Sequence, residues 1–226
     1  RIVILGGGTA GWMAANLIAH RWGGARVTLI ESPEIGIIGV GEGSTPQFKT
    51  FFDTLCIPET EWMPRCNATY KNGIRFKGWS DRAGFESYFH PFPTMLDSHT
   101  LGTFCYNTRA RRTGRDVWAH PDRFFLPAAL AAQRLGPIPG ESFPFDVSYG
   151  YHFDAHLVGA FLHEHAKGLG VNHLQRRIAQ VVLSKNGDVS HLETVDGEVI
   201  GADLFIDSSG FGSVIVQGAL GEPFVS

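Results

Sequence analysis

The N-terminal segment constrains the fold more than any other part of the sequence. An apolar, β-rich run at residues 1–5 leads into a turn that contains Gly6, Gly8 and Gly11, and residues 10–21 follow with helical periodicity. A second apolar run at residues 26–30 ends at Glu31. These elements predict a βαβ unit at the start of a Rossmann-like, open α/β fold.

The spacing of the glycines predicts a site for a dinucleotide. Gly6 permits the tight turn, Gly8 lets the backbone approach a pyrophosphate, and Gly11 lets the helix pack against the strand. The N-terminus of the helix, at Thr9 and Ala10, presents free N–H groups to phosphate charge. A glycine motif alone is weak evidence, and the alternative is a turn with no ligand, but the flanking strand and helix favour the site.

Glu31 narrows the choice of dinucleotide. It lies twenty residues after Gly11, at the end of the second predicted strand. A carboxylate in this place binds ribose hydroxyls and repels a 2′-phosphate, which argues against NADP.

The rest of the chain predicts a fold that is interrupted by an insertion. We expect helices at 47–55, 99–112, 122–134 and from an N-cap at Asp154 to about 168, and strands at 73–79, 86–89, 151–153, 171–174, 178–184, 189–195 and 202–206. Residues 137–144 form a turn-rich connector. We therefore predict a discontinuous cofactor-binding domain at 1–56 and 149–226, and an inserted segment at 57–148 that contributes to a substrate pocket.

The C-terminal end of the chain favours FAD over NAD. The strand at 202–206 leads into Asp207 and Gly210, and folds of the FAD-binding monooxygenase type place an acidic residue and a glycine there to contact the flavin. The hairpin at 178–195, with Val181 as its candidate cofactor contact, also fits that architecture.

Composition excludes several classes of function. A formal net charge of −3 does not indicate the basic surface that nucleic-acid binding requires. No apolar run is long enough to predict a membrane span. No signal peptide is visible. The odd, widely spaced cysteines Cys56, Cys66 and Cys105 indicate reduced thiols in a cytoplasmic protein.

Two residue classes in the chain have an ordinary and a functional interpretation. The aromatic side chains that crowd the middle third are typical of a core, and they also suit a pocket wall for a flat organic ligand. The histidines near 152–165 lack carboxylates at metal-ligand spacing, so we predict a solvated helix face and no metal site there.

Four segments of the chain resemble the flavin-dependent tryptophan halogenases. They are GGGTAGWMAA at 6–15, GVGEGSTP at 39–46, YKNGIRFKGW at 70–79 and, more loosely, FIDSSGF at 205–211. Gly43 and Ser44 depart slightly from the small-residue pair that is commoner in the family. The resemblance covers essentially all of this chain.

The resemblance implies particular functional residues. It makes Lys71 the catalytic lysine, and it places the loop at 39–46 against the flavin, with Ile38, Gly41 and Glu42 as candidate contacts. An acid before Pro46 is equally consistent with the N-terminus of a helix. A lysine on a strand edge is otherwise an ordinary surface residue.

The resemblance also implies an activity. FADH2, supplied by a separate flavin reductase, would react with O2 to a flavin hydroperoxide, which a halide converts to hypohalous acid. Lys71 would guide this oxidant to an electron-rich aromatic such as tryptophan or another indole, either by hydrogen bonding or as a haloamine. We expect Tyr70, Ile74, Phe76 and Trp79 to desolvate Lys71 and lower its pKa.

Two other functions remain open at this point. One is an FAD-dependent aromatic hydroxylase, a monooxygenase that needs no such lysine, and the other is a non-catalytic flavin-binding fragment. The family's W-x-W-x-I-P segment, its halide site and the acidic partner of its lysine would all lie beyond Ser226, so we expect an incomplete halogenase chain. A homodimer is compatible with the sequence.

Overall fold

A computed structural model describes residues 1–36 and 43–224 of the chain. The predicted cofactor contacts at Ile38, Gly41 and Glu42 lie outside the described residues. The structure divides the chain into two compact units. The first comprises Arg1–Val40, Thr54–Asn67 and Asp154–Ser226, and the second comprises Gly41–Asp53 and Ala68–Phe153.

The helices and strands follow one another in a mixed α/β order. They are β1 (Ile2–Leu5), α1 (Thr9–Arg21), β2 (Val27–Glu31), α2 (Gln47–Thr54), α3 (Glu59–Arg65), β3 (Thr69–Lys71), β4 (Gly73–Lys77), β5 (Ser87–Pro91), α4 (Ser98–Arg112), α5 (Leu126–Ala132), β6 (Gly150–His152), α6 (Ala155–Gly168), β7 (Asn172–Gln175), β8 (Ile178–Leu183), β9 (Val189–Thr194), β10 (Val199–Gly201) and β11 (Leu204–Asp207). A π-helix at Val214–Ala219 follows the last strand. None of the helices described is long and apolar enough to cross a membrane.

A parallel sheet organises the first unit. Its strand order is β11-β1-β2-β7, and every neighbouring pair is parallel. The predicted βαβ unit is confirmed, with β1 and β2 as neighbours and α1 as their connection. The predicted hairpin at 178–195 is confirmed by the antiparallel pairing of β8 with β9.

The sheet is buried on both faces. Val3 and Leu5 pack with Ile30, Leu192 and Ile215 in one hydrophobic cluster, so the face that they occupy is covered by β9 and the π-helix. Strand residues alternate between faces, which places the fully buried Ile4 on the opposite side. This double burial explains why β1 is a continuous apolar run and not an alternating one.

Close backbone contacts require glycine at two positions of the turn after β1. A Cβ on Gly6 would lie 2.1 Å from the Ser208 carbonyl oxygen, and its φ of +120° is itself unfavourable for other residues. A Cβ on Gly11 would lie 1.9 Å from the Gly6 carbonyl oxygen. These glycines let the start of α1 pack against β1 and the segment that follows β11.

Helix α6 begins where the sequence predicts. The Asp154 carboxylate accepts hydrogen bonds from the backbone N–H groups of His156 and Leu157, at 2.9 and 3.0 Å. Asp154 is therefore the N-cap, as predicted.

Replacing Asp154 with alanine should destabilise the protein by about 1 kcal/mol, because two N–H groups at the start of α6 lose their acceptor. Chemical denaturation measures the change in the free energy of unfolding. The exposed Asp146 provides a matched Asp→Ala control with little expected effect. An equal loss in both variants would contradict a capping role.

The prediction of a solvated histidine face on α6 is wrong for His163 and His165. Both are partly buried. His165 Nδ1 lies 2.7 Å from the side-chain oxygen of Asn16, which is itself buried. Burial lowers the pKa of both imidazoles. The pattern of α6 did not reveal that this face packs on α1.

The second unit consists of small antiparallel pairings and helices. Strand β3 pairs with β6, and β4 pairs with β5. Nearly all of helix α2 lies in this second unit. Its Phe48 ring stacks on the Phe153 ring, with the two ring centres 4.8 Å apart. The assignment of residues 1–56 and 149–226 to one cofactor-binding domain stays a prediction.

All three cysteines carry free thiols, but only one of them is buried. Burial raises the pKa of the Cys66 thiol to about 11. At pH 8 we expect a thiol reagent to modify Cys56 and Cys105 in the native protein and Cys66 only after unfolding. Mass spectrometry of the labelled protein reads this out, and rapid native labelling of Cys66 would contradict it.

Candidate functional site

The start of α1 has the properties of an anion site. Gly8 is its N-cap residue, and the helix, which is described in full, has neither a side-chain cap nor an acidic residue in its first turn. The first N–H groups of a helix have no acceptor within the helix. A Cβ on Gly8 would meet no protein atom within 4 Å. The fold therefore tolerates a side chain at this position. A ligand that approaches the backbone closely would require glycine.

Glu31 lies at the edge of this glycine turn. A Cβ on Gly7 would lie 1.6 Å from Glu31 Oε2, so the carboxylate rests directly against the turn. The other carboxylate oxygen, Oε1, lies 2.7 Å from His173 Nε2. The structure thus brings the predicted ribose contact to the predicted pyrophosphate contact.

A cavity of about 620 Å³ opens beyond the ends of two neighbouring parallel strands. Its lining includes Pro33 and Glu34, which follow β2, and Arg177 and Ile178, which follow β7. Ligands of open α/β sheets bind in such crevices outside the carboxyl ends of the strands. Val181, the predicted hairpin contact, is partly buried and packs against the core cluster of the sheet, and its contact with the cofactor stays a prediction.

Both oxygens of the Asp207 carboxylate accept hydrogen bonds from residues that follow shortly after it in the chain. Oδ1 accepts from the N–H and hydroxyl of Ser209, and Oδ2 accepts from the N–H groups of Ile215 and Val216. Burial raises the pKa of Asp207, but these hydrogen bonds outweigh burial and leave it below its ordinary value. Asp207 therefore holds the start of the π-helix, and both Asp207 and Gly210 line a second cavity, of about 430 Å³.

Lys71 lies in the second unit, at the end of β3. Lys71 pairs with Gly150 of β6. Gly43 forms an isolated antiparallel β-bridge with His152 of the same strand. A Cβ on Gly43 would lie 2.9 Å from Lys71 Nζ and 3.4 Å from His152 Nδ1. The Lys71 ammonium also lies 5.7 Å from the centre of the Phe92 ring. Segments that are far apart in sequence therefore meet at this lysine.

The surroundings of Lys71 differ from those predicted from its sequence neighbours. Burial lowers the pKa of Lys71, as expected. However, Trp79 is 69% exposed, and its ring packs against Phe76. Tyr70 packs against Tyr149 and Tyr151, because consecutive side chains of a strand point in opposite directions. Phe92, which is not one of these sequence neighbours, lies beside the ammonium.

His152 and Phe92 were not predicted as neighbours of Lys71. Burial lowers the pKa of His152, and the nearby Lys71 cation lowers it further. A strand was predicted at 151–153, but nothing in the sequence indicated that β3 would be its partner. Within the described residues, no group of three or more His, Cys, Asp or Glu side chains has the geometry of a metal site.

The tryptophan halogenase family model matches residues 1–226. The chain belongs to the tryptophan halogenase family. Its resemblance to flavin-dependent halogenases is thereby confirmed over its whole length.

Curated and solved relatives agree with this membership. The chain is 37% identical to the tryptophan 6-halogenase SttH of Streptomyces toxytricini over 246 residues, covering 100% of this chain and 47% of that protein. It is 36% identical to the tryptophan 7-halogenase RebH of Lentzea aerocolonigenes over 244 residues, covering 100% of this chain and 45% of that protein. The chain thus spans about half the length of these relatives.

The fold is also that of solved halogenases. Tar14, a tryptophan C-6 flavin-dependent halogenase (chlorinase) from taromycin biosynthesis, matches with a TM-score of 0.82 at 33% identity. The match covers 100% of this chain and 46% of Tar14. The α/β fold predicted from the sequence is therefore confirmed as one shared with flavin-dependent halogenases.

Proposed function

We propose that the protein halogenates an electron-rich aromatic compound such as tryptophan or another indole, using FADH2, O2 and a halide. The observation that carries this proposal is the place of Lys71. It lies in the segment at 70–79 that resembles the family's lysine segment, and its ammonium lies near an aromatic ring and a histidine. Membership of the tryptophan halogenase family supports the same reaction.

The residues of the first unit fit FAD. The open space at Gly8 and the N–H groups at Thr9 and Ala10 suit the pyrophosphate, and the Glu31 carboxylate suits the ribose hydroxyls. The cavity beside Pro33 and Ile178 has the place and volume for the adenine end. When bound, reduced FAD would supply the reaction with O2 that converts halide to hypohalous acid.

Lys71 would act on this oxidant. Its ammonium is a hydrogen-bond donor that can hold the hypohalous oxygen and make the halogen more electrophilic. Partial burial strengthens that hydrogen bond, and it also lowers the cost of deprotonation to an amine that could carry the halogen. The Phe92 ring next to the ammonium is itself buried, so it contributes to the apolar surroundings of Lys71.

The partners follow from the same proposal. A separate flavin reductase would provide FADH2, and chloride or bromide would serve as co-substrate. The free thiols of the chain support a cytoplasmic location.

A product assay tests the proposal. The protein, carrying whatever chain follows Ser226, is supplied with FAD, a flavin reductase, NADH, bromide and tryptophan, and the products are identified by mass spectrometry. We expect a brominated indole with the isotope doublet of bromine. A hydroxylated product with no halogen would identify an aromatic hydroxylase instead.

A further inference from the structure

The carboxylate that the first unit offers to a ribose is not free to rotate. Glu31 ends β2, and its side chain is 26% exposed. Oε2 lies against Gly7, while Oε1 lies 2.7 Å from His173 Nε2. The two oxygens therefore have different surroundings, one at the cofactor turn and one at a neighbouring strand.

His173 reaches Glu31 because of the sheet register. In the parallel pairing of β2 with β7, Leu29 lies beside His173, and Glu31 follows Leu29 on the same face of the sheet. An ionised carboxylate only accepts hydrogen bonds, so the histidine must carry its proton on Nε2 and donate it to Glu31. The imidazole therefore acts as a donor to the acid.

Packing fixes the ring of His173. The Trp12 ring meets it edge-on at 5.1 Å, and the His163 ring meets it edge-on at 4.6 Å. Trp12 is only 3% exposed, and the His173 side chain is 13% exposed. A hydrogen-bond donor held this firmly confines its acceptor to a narrow range of positions.

We propose that His173 is a positioning residue, which anchors Oε1 of Glu31 and leaves Oε2 at the glycine turn to accept from the ribose hydroxyls of the cofactor. This inference rests on the proposed FAD site. It extends that site to a residue 142 positions further along the chain, on a strand with no cofactor motif. His173 acts through Glu31 and does not itself contact the cofactor.

The test compares FAD dissociation constants of the full chain and its variants by flavin fluorescence. His173→Leu should weaken FAD binding about tenfold, because a charged hydrogen bond is lost. His173→Gln should recover most of the affinity, since its amide can donate at a similar distance. His191→Leu is a matched control, because His191 makes a comparable contact, at 3.3 Å, to Glu193 of the same strand.

A double-mutant cycle separates positioning from a structural role. In the Glu31→Ala background, which leaves no acceptor for His173 Nε2, His173→Leu should cause little further loss of FAD affinity. An unchanged affinity in His173→Leu, or an equal loss in both backgrounds, would overturn the proposal. If His173→Leu does not fold, His173→Asn, whose amide is too short to reach Oε1, replaces it in the same cycle. A wild-type protein that does not bind FAD would overturn the proposed function as well.

Discussion

Replacing Lys71 with alanine is expected to lower the rate of halogenation by about a thousandfold while leaving FAD affinity unchanged. The ammonium is the charged donor that is held between Gly43, His152 and Phe92. Alanine removes that donor without touching the glycine turn of the first unit. The measurement is product formation at saturating FADH2, bromide and tryptophan, together with the dissociation constant for FAD.

Two further variants sharpen this prediction. Lys71→Met retains most of the apolar stem and should be as inactive as the alanine variant, which would assign the effect to the charged end. Lys77→Ala, on β4, the next strand along the chain, is a control at an exposed lysine and should retain activity. Halogenation that persists in Lys71→Ala would remove Lys71 from the mechanism.

Replacing Gly8 with valine is expected to weaken FAD binding at least about a hundredfold without unfolding the protein, since several charged hydrogen bonds are lost together. A Cβ at Gly8 meets no protein atom within 4 Å, so the free protein can accept a side chain there. In the complex, the side chain would occupy the space of the pyrophosphate. Isothermal calorimetry gives the affinity, and a thermal melt without FAD shows whether the fold persists.

Glycines with other surroundings provide the controls for this variant. Gly24→Ala also places a Cβ in open space but lies in the exposed loop before β2, so FAD affinity should be unchanged. Gly11→Ala forces a Cβ to within 1.9 Å of the Gly6 carbonyl oxygen and should destabilise the fold itself. If Gly8→Val binds FAD normally, the pyrophosphate does not lie at this turn.

The first unit could be predicted well because its signals are local. A buried strand followed by closely spaced glycines and a helix is encoded within about thirty residues. The Asp154 cap precedes its helix directly, and the hairpin of β8 and β9 is marked by turn residues between its strands. Each of these signals is carried by neighbouring residues.

The surroundings of Lys71 could not be predicted, because they depend on distant segments. Strand β3 has only three residues, and its partner β6 lies about eighty positions later in the chain. Helix α3 was not predicted, because it is short and contains Pro64, a residue that usually interrupts a helix. Two of the four hydrogen bonds that Asp207 accepts come from the π-helix, which has no simple periodicity in the sequence.

The order of strands in the parallel sheet has a consequence for how the chain is made. Strand β1 leaves the ribosome before the other strands of this sheet, and one of its two neighbours, β11, emerges some two hundred residues later. Until then, Gly6 has no Ser208 to pack against, and one edge of β1 stays unpaired. The hairpin of β4 and β5 closes locally and can form during this interval. Newly made protein should therefore acquire its ability to capture the cofactor late, after nearly all of this chain has been synthesised.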